Sequence, residues 1–295
     1  MITTEHLIQE KQLQQLYADC FAYKKKQGSP FRLITLQHYK VFGGTSPDIQ
    51  QIADAVEQLI LSLDIIDDWQ DEDLAEAAPW MKIEKAQALN IALLFLNSSM
   101  NHIIASSFQN QNAAARCMHQ CLNISIEGQY LDIENAISNE EQYIIMCRKK
   151  SGSLLTLASL LGSLLATDNV PACIASYASD MGVAAQIAND MRDAVNITGK
   201  SDWRKKKRTL PILYLLHPKV EKGQLVRDYF AGTISFEELA EREEELVHIV
   251  KSSGALVYAN AVRELHQNQA IAAIDSLQVN RKSKQALKEI FLQKL

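Results

Sequence analysis

Apolar residues recur along this chain at three- and four-residue steps, the spacing that turns one face of a helix toward a core. Leu7, Leu13, Leu16, Tyr17 and Phe21 predict an opening helix that stops near Gly28-Ser29-Pro30. A second run over 31–42 ends at Gly43-Gly44. Ser46 or Asp48 then caps a long helix carrying Ile52, Val56, Leu59, Ile60, Leu63, Ile66 and Asp67, and Pro79 closes the acidic stretch after it. Further helical runs are expected over 83–108, 113–131, 140–166, 170–197 and 210–216. The last portion, 220–295, reads as three or four shorter helices broken near Gly232, Gly254 and Val279. No alternating strand pattern exceeds four residues, and no linker, repeat or low-complexity tract marks a boundary. The economical reading is a single all-α domain, a helical bundle over residues 1–295.

Composition agrees. Eleven Gly and six Pro in 295 residues are about half of average usage, too few for the turns of a sandwich, barrel or propeller. A net charge of −5 argues against a dedicated nucleic-acid binder. Five cysteines form no CxxC and read as buried reduced thiols of a cytoplasmic protein. The opening residues contain no apolar run of the secretory kind, and the apolar stretch 153–166 is too short to span a bilayer, so it predicts a buried core helix. The seven His show no metal-ligand spacing.

The candidate chemistry is acidic. Asp64, Asp67, Asp68, Asp71, Glu72, Asp73 and Glu76 place seven carboxylates in thirteen residues, with no Lys or Arg until Lys82. Asp64, Asp67, Asp68 and Asp71 share one helical face. They sit near a helix C-terminus, where the macrodipole opposes negative charge, and like charges four apart repel. Oxygen-only ligands of this kind suit a hard cation such as Mg²⁺. Alone, the run also fits a solvated acidic helix end. It has a counterpart, however: Asn189, Asp190 and Asp193 repeat the spacing of Asp67, Asp68 and Asp71 at the end of a later apolar helix, after Gln186. Two such turns on opposed helices predict a clamp for a metal-bound diphosphate.

With these residues in place, the chain resembles the trans-isoprenyl diphosphate synthase superfamily. DDWQD (Asp67 to Asp71) is similar to its first aspartate-rich motif and NDMRD (Asn189 to Asp193) to its second. FRLITL before Gly43-Gly44, the GQYLD segment ending at Asp132, the Lys150-Ser151 pair and Lys207-Arg208-Thr209-Leu210-Pro211 match further family elements in order. The departures matter equally. Members that condense two diphosphates carry GGKxxR near residue 28 and a double Arg after the first aspartate motif, cations that hold the second diphosphate. Here the first place reads Gly28-Ser29-Pro30-Phe31-Arg32, keeping only Arg32, and the second reads Asp73 to Ala78 without Arg. A phosphate beside Glu76 without compensating cations would be poorly held. That combination resembles the ComQ-type isoprenyl transferases of bacterial quorum sensing, as does the SxDIIDDxQDxD form of Ser62 to Asp73.

The resemblance implies an isoprenoid-synthase bundle with its active-site cavity between central helices. It implies Mg²⁺-dependent transfer of a geranyl or farnesyl group from an allylic prenyl diphosphate to a tryptophan of a pheromone precursor peptide. Asp67, Asp68 and Asp71 are expected to hold metal on one side, with Asn189, Asp190 and Asp193 opposite. Lys150 and Lys207 should pair with the diphosphate, with Gln186 near the allylic cation, Gln129 near metal water or donor, and Arg32 as the remaining cation of the substrate site. Trp69 reads as packing, Asp64 as a supporting carboxylate, and Leu63 and Ser62 as part of a floor that admits a C10 or C15 chain. The resemblance further implies a homodimer; with the cysteines it fits a cytoplasmic protein, and a lipophilic donor and product are compatible with peripheral association at the inner face of the membrane. The main rival is a prenyl diphosphate synthase using isopentenyl diphosphate. A class I terpene synthase fits less well, because Asp193 and Ile197 replace its usual hydroxyl and Glu, and a non-catalytic subunit fits less well because both aspartate sets are present.

Overall fold

The computed structural model describes residues 8–71, 78–199 and 201–294, and every regular element among them is helical. In chain order these are α1 (Lys11–Gln27), α2 (Pro30–Val41), α3 (Ile49–Asp71), α4 (Lys85–Ile104), α5 (Gln111–Glu134), α6 (Glu140–Cys147), α7 (Ser153–Ala166) and α8 (Cys173–Asp193). They are followed by α9 (Ser201–Arg204), α10 (Leu210–Leu216), α11 (Gln224–Phe230), α12 (Phe236–Glu241), α13 (Glu243–Ser252), α14 (Ala255–Ser276) and α15 (Arg281–Lys294). Leu7, Glu72, Asp73 and Glu76, with the rest of the segment after the first aspartate turn up to Ala77, lie outside the described residues.

The boundaries follow local chemistry. Lys24, Lys25 and Lys26 occupy the last turn of α1, where cations complement the helix dipole, and Gly28 takes φ 71° beyond it. Ser29 caps α2 by accepting the Phe31 N–H, with Pro30 at the first helical position. Ser46 acts before α3 by accepting the Asp48 N–H at 3.2 Å.

The helices gather into two compact units, each made of separated stretches of chain. One contains the described residues of 1–120, 157–172 and 277–295. There α3 packs on α2 and α4, and α15 on α2. Its core includes Tyr17, Leu61, Ile65, Trp80 and Phe95, with the Tyr17 and Phe95 rings stacked at 4.2 Å. The other contains 121–156 and 173–276, where α8 runs along α14. Two apolar clusters support it, one around Tyr143, Val183, Ile187 and Leu210 and one around Trp203, Leu215, Tyr229 and Leu246. Each fully buried large apolar side chain contributes about 1.5–3 kcal/mol.

Two expectations need correction. The helix expected over 140–166 is not continuous: a π-turn, Arg148–Gly152, separates α6 from α7. The portion 220–295 breaks at Gly232 (φ 80°), Gly254 (φ 95°) and the 277–280 connection as expected, but also at Arg242. A reciprocal capping box of Ser235 and Glu238 starts the short α12, and it ends at Arg242, whose backbone leaves helical values (φ −105°, ψ 27°) before α13 begins. The apolar 153–166 stretch is a largely buried helix, and no helix among the described residues is long and apolar enough to cross a membrane.

Candidate active site

The first aspartate turn is the C-terminal end of α3. Asp67 and Asp68 are half-buried and Asp71 is buried. The buried Trp80 donates its indole N–H to Asp68 Oδ2 at 2.8 Å and packs edge-on against Tyr23. One turn earlier, Asp64 forms an ion pair with Lys24 of α1 at 2.5 Å. Trp69 sits in the apolar cluster with Lys85 over its ring, a packing role as expected. The same unit holds Arg32, which does not stand open: Nε donates to Asp54 Oδ1 at 2.7 Å and Nη2 to Gln50 Oε1 at 2.6 Å. Lys25 also reaches Asp54, at 3.3 Å.

The second aspartate turn, in the other unit, ends α8. Asp190 is only 4% exposed; Tyr143 donates its hydroxyl to Oδ2 at 2.6 Å and Gln186 donates its amide to Oδ1 at 2.8 Å. Burial pushes the Asp190 carboxyl up to about 7, helped by the charges of Asp202 and Asp132 and restrained by those two hydrogen bonds. Ser151 donates to Gln186 Oε1 at 2.5 Å, so the residue after Lys150 holds the glutamine that holds Asp190. Asn189 is exposed and accepts from Arg192, while Asp193 is half-buried.

The π-turn carries Lys150, and small residues let it dock. A Cβ on Gly128 of α5 would lie 2.1 Å from the Lys150 backbone nitrogen, and one on Gly182 of α8 would lie 2.4 Å from Gly152 Cα. Ser125 donates to the Lys150 carbonyl at 3.1 Å. Arg148 secures the turn to α8 through Asp180 (2.7 Å), which His266 of α14 also meets at 3.0 Å. Burial alone would raise the Asp180 carboxyl, but these partners hold it below the usual carboxylate range.

So placed, Lys150 Nζ lies 2.7 Å from Asp132 Oδ2, and Lys207 Nζ reaches the same oxygen at 3.2 Å. Lys207 also approaches Asp202 at 3.6 Å. The two lysines expected to serve one ligand, 57 positions apart in sequence, therefore share one half-buried carboxylate. Burial works to raise the Asp132 carboxyl, and the two ammonium groups outweigh it and hold it low. The half-buried Gln129 lies one helical turn before Asp132 on α5.

Among the expected residues, Lys150, Lys207, Gln186 and Asp190 all fall into this connected part of one unit, whereas Asp67, Asp68, Asp71 and Arg32 belong to the other unit. Sequence reading overlooked Asp132 as a partner, although it closes the GQYLD segment, and Tyr143, which nothing distinguished from core. Among the described residues no group of three or more His, Cys, Asp or Glu side chains forms a ready-made metal cage. The donors in both turns are oxygens, the chemistry of a hard cation held by few carboxylates together with substrate phosphates.

The comparisons with known proteins agree with this architecture. Residues 13–247 match the family model described as polyprenyl synthetase, and the chain belongs to that family of prenyl-transferring enzymes. The solved geranylgeranyl pyrophosphate synthetase from Pyrococcus horikoshii Ot3 shares its fold at a TM-score of 0.79, with 21% identity over 98% of this chain and 92% of the other. A geranylgeranyl pyrophosphate synthase from Corynebacterium glutamicum, solved with calcium and isoprenyl diphosphate, gives 0.77 and 21%, covering 99% and 90%. Within the family the chain is of the ComQ type: it is 31% identical over 294 residues to the tryptophan prenyltransferase ComQ of Bacillus subtilis (strain 168), covering 99% of this chain and 95% of the relative.

Proposed function

We propose that the chain transfers a geranyl or farnesyl group from an allylic diphosphate to a tryptophan side chain of a pheromone precursor peptide. The observation that carries the donor half is the convergence of Lys150 and Lys207 on Asp132. Two ammonium groups held by one carboxylate can pass to a diphosphate, which offers more charge and more acceptor oxygens. As the allylic C1–O bond breaks, the bonding pair leaves on the diphosphate, and both lysines stabilise the charge that accumulates there. Gln186, fixed between Ser151 and Asp190, is assigned to the side of the allylic cation, and Gln129 to the donor. The indole then supplies the electron pair for the new bond to C1, and the proton that the resulting cation sheds passes to the departing diphosphate.

Mg²⁺ fits the donor chemistry of both aspartate turns. Asp67, Asp68 and Asp71, and Asn189, Asp190 and Asp193, would hold it, and when bound it supplies Lewis-acid stabilisation of the diphosphate oxygens. Each Asp190 oxygen accepts one hydrogen bond and retains a further lone pair.

The acceptor half is supported by the cations the sequence lacks. Of the basic residues expected to hold a second diphosphate only Arg32 remains, paired with Asp54 and Gln50, and no Arg follows the first aspartate turn before Ala78, whereas a neutral indole needs no such cations. The names of the curated relatives point to the same acceptor. On this reading residues 1–295 act as one catalytic domain in pheromone maturation for quorum sensing and competence, in the cytoplasm or at the inner membrane face. A homodimer is consistent with the exposed apolar stripe Leu89, Leu93 and Ile104 on α4.

The test offers the protein Mg²⁺ and geranyl or farnesyl diphosphate, with isopentenyl diphosphate or a Trp-containing precursor peptide in parallel, and reads the products by mass spectrometry. Prenyl mass on the peptide tryptophan is expected. Chain elongation of the diphosphate without peptide labelling would establish the rival synthase activity instead.

A further inference from the structure

The segment that presents Lys207 is held by one side chain from elsewhere in the same unit. Asn135 follows α5 in the left-handed region (φ 52°), its backbone N–H bonding the Leu131 carbonyl at 3.2 Å as a helix-ending residue does. Its amide then goes beyond ending the helix. Nδ2 donates to the Lys206 carbonyl at 2.8 Å and the Lys205 carbonyl at 3.3 Å, and Oδ1 accepts the Arg208 N–H at 3.0 Å. Those three bonds bracket Lys207 on both sides. They also fix the orientation of the amide, because only nitrogen can serve two carbonyls and only oxygen an N–H.

Nearby contacts finish the arrangement. Arg208 reaches the Ile137 carbonyl at 3.2 Å, Lys206 donates to the Tyr229 carbonyl at 2.7 Å, and the Lys207 N–H bonds the Asp202 carbonyl at 2.9 Å. Lys206 itself takes φ 50°, a conformation unfavourable for a non-glycine residue unless its surroundings impose it. Lys207 thereby points to Asp132, which lies three residues before Asn135.

We infer that Asn135 is a positioning residue for the donor site: it ties the end of α5 to residues 205–208 and so sets where the Lys207 ammonium meets the allylic diphosphate. This rests on the reading of Lys207 as a diphosphate partner. Its role is exerted through Lys207 and not on the reacting atoms.

The test is a four-protein cycle of the full chain: wild type, Asn135→Gly, Lys207→Ala and the double variant. Glycine accepts the positive φ, so Asn135→Gly removes the three bonds without opposing the helix end. Steady-state kinetics with the allylic diphosphate are paired with calorimetric binding of inorganic pyrophosphate in Mg²⁺. Asn135→Gly is expected to raise KM, lower kcat/KM on the order of ten- to hundredfold and weaken pyrophosphate binding in parallel. In the Lys207→Ala background the same change should add less than twofold. An impaired Lys207→Ala with an unaffected Asn135→Gly, or with fully additive losses, overturns the positioning role and leaves the Lys207 assignment standing. An unaffected Lys207→Ala overturns that assignment and this inference with it. If Asn135→Gly loses its fold, Asn135→Asp carries the same cycle, since it tolerates positive φ while presenting acceptors to two carbonyls.

Discussion

Replacing Asp132 by Asn isolates the electrostatics of the proposed donor site. The carboxylate faces Lys150 at 2.7 Å and Lys207 at 3.2 Å, and the three side chains are 12%, 17% and 9% exposed. At an effective dielectric of ~20 the two attractions amount to about 6 and about 5 kcal/mol. Desolvation of the carboxylate takes back several kcal/mol, and removing one partner of a buried ion pair has a net cost of about 3–5 kcal/mol. Asp132→Asn keeps the shape but leaves two neighbouring ammonium groups without this counter-charge, so its unfolding free energy in urea at pH 7 should fall by that amount. The sign of the pH dependence follows from the carboxyl being held low in the fold. Its stabilisation is present above the unfolded value near pH 4 and is lost as pH falls through the folded value. The gap between wild type and variant should therefore be full at neutral pH and close on acidification. A variant within about 1 kcal/mol of wild type at pH 7, or a gap that does not shrink at low pH, would refute the argument.

Other contacts lead to further expected outcomes. Trp80→Phe keeps an aromatic ring beside Tyr23 but removes the donor to Asp68; the loss of a hydrogen bond to a charged group, about 1.5–3 kcal/mol, should lower kcat/KM by at least tenfold at fixed Mg²⁺. Gly128→Ala inserts a methyl 2.1 Å from the Lys150 backbone and should destabilise by about 1–3 kcal/mol or more while reducing turnover, read by thermal unfolding and steady-state assay together. His38, fully buried with Nδ1 2.8 Å from the Ile34 carbonyl, has its pKa lowered by burial from 6.5 to about 4. The unfolded chain takes up that proton first, so stability should decline on the order of 3 kcal/mol as pH falls from about 6.5 to about 4. His38→Asn should flatten that part of the profile, and NMR titration should find the native ring neutral at pH 5.

Much of this architecture was legible because helical periodicity and charge density are local signals. The stops at Gly28, Gly232 and Gly254 coincide with positive φ, and both aspartate turns lie on helices, as their spacing predicts. The hidden features depend on distance in sequence or on a one-residue change of winding. The π-turn coincides with the polar run Arg148-Lys149-Lys150-Ser151-Gly152, and a polar stretch of that length between two apolar runs fits an exposed helical turn as well as a change of winding. Tyr143 looked like core, and it is core, yet its hydroxyl serves Asp190 47 residues later. Arg32 was legible as the one cation kept from the early basic motif, and only the fold reveals Asp54 as its partner. Asn135 looked like an ordinary polar residue after a helix, and its contacts lie 70 positions away.

The π-turn at Arg148–Gly152 bears on how such a site can be gained or lost. A wide turn is a helix with one residue more than regular winding accommodates, and each added residue rotates the rest of the helix by about 100°. The direction of Lys150 thus depends on the winding of the chain as well as on the Gly128, Ser125 and Arg148 contacts that seat the turn. Deleting Lys149 and restoring ordinary winding would swing Lys150 out of register with Asp132 while leaving Lys150, Ser151 and the other motif side chains chemically unchanged. In an alignment of relatives, loss of the donor site by this route would register as a single gap, with all the motif residues still in place.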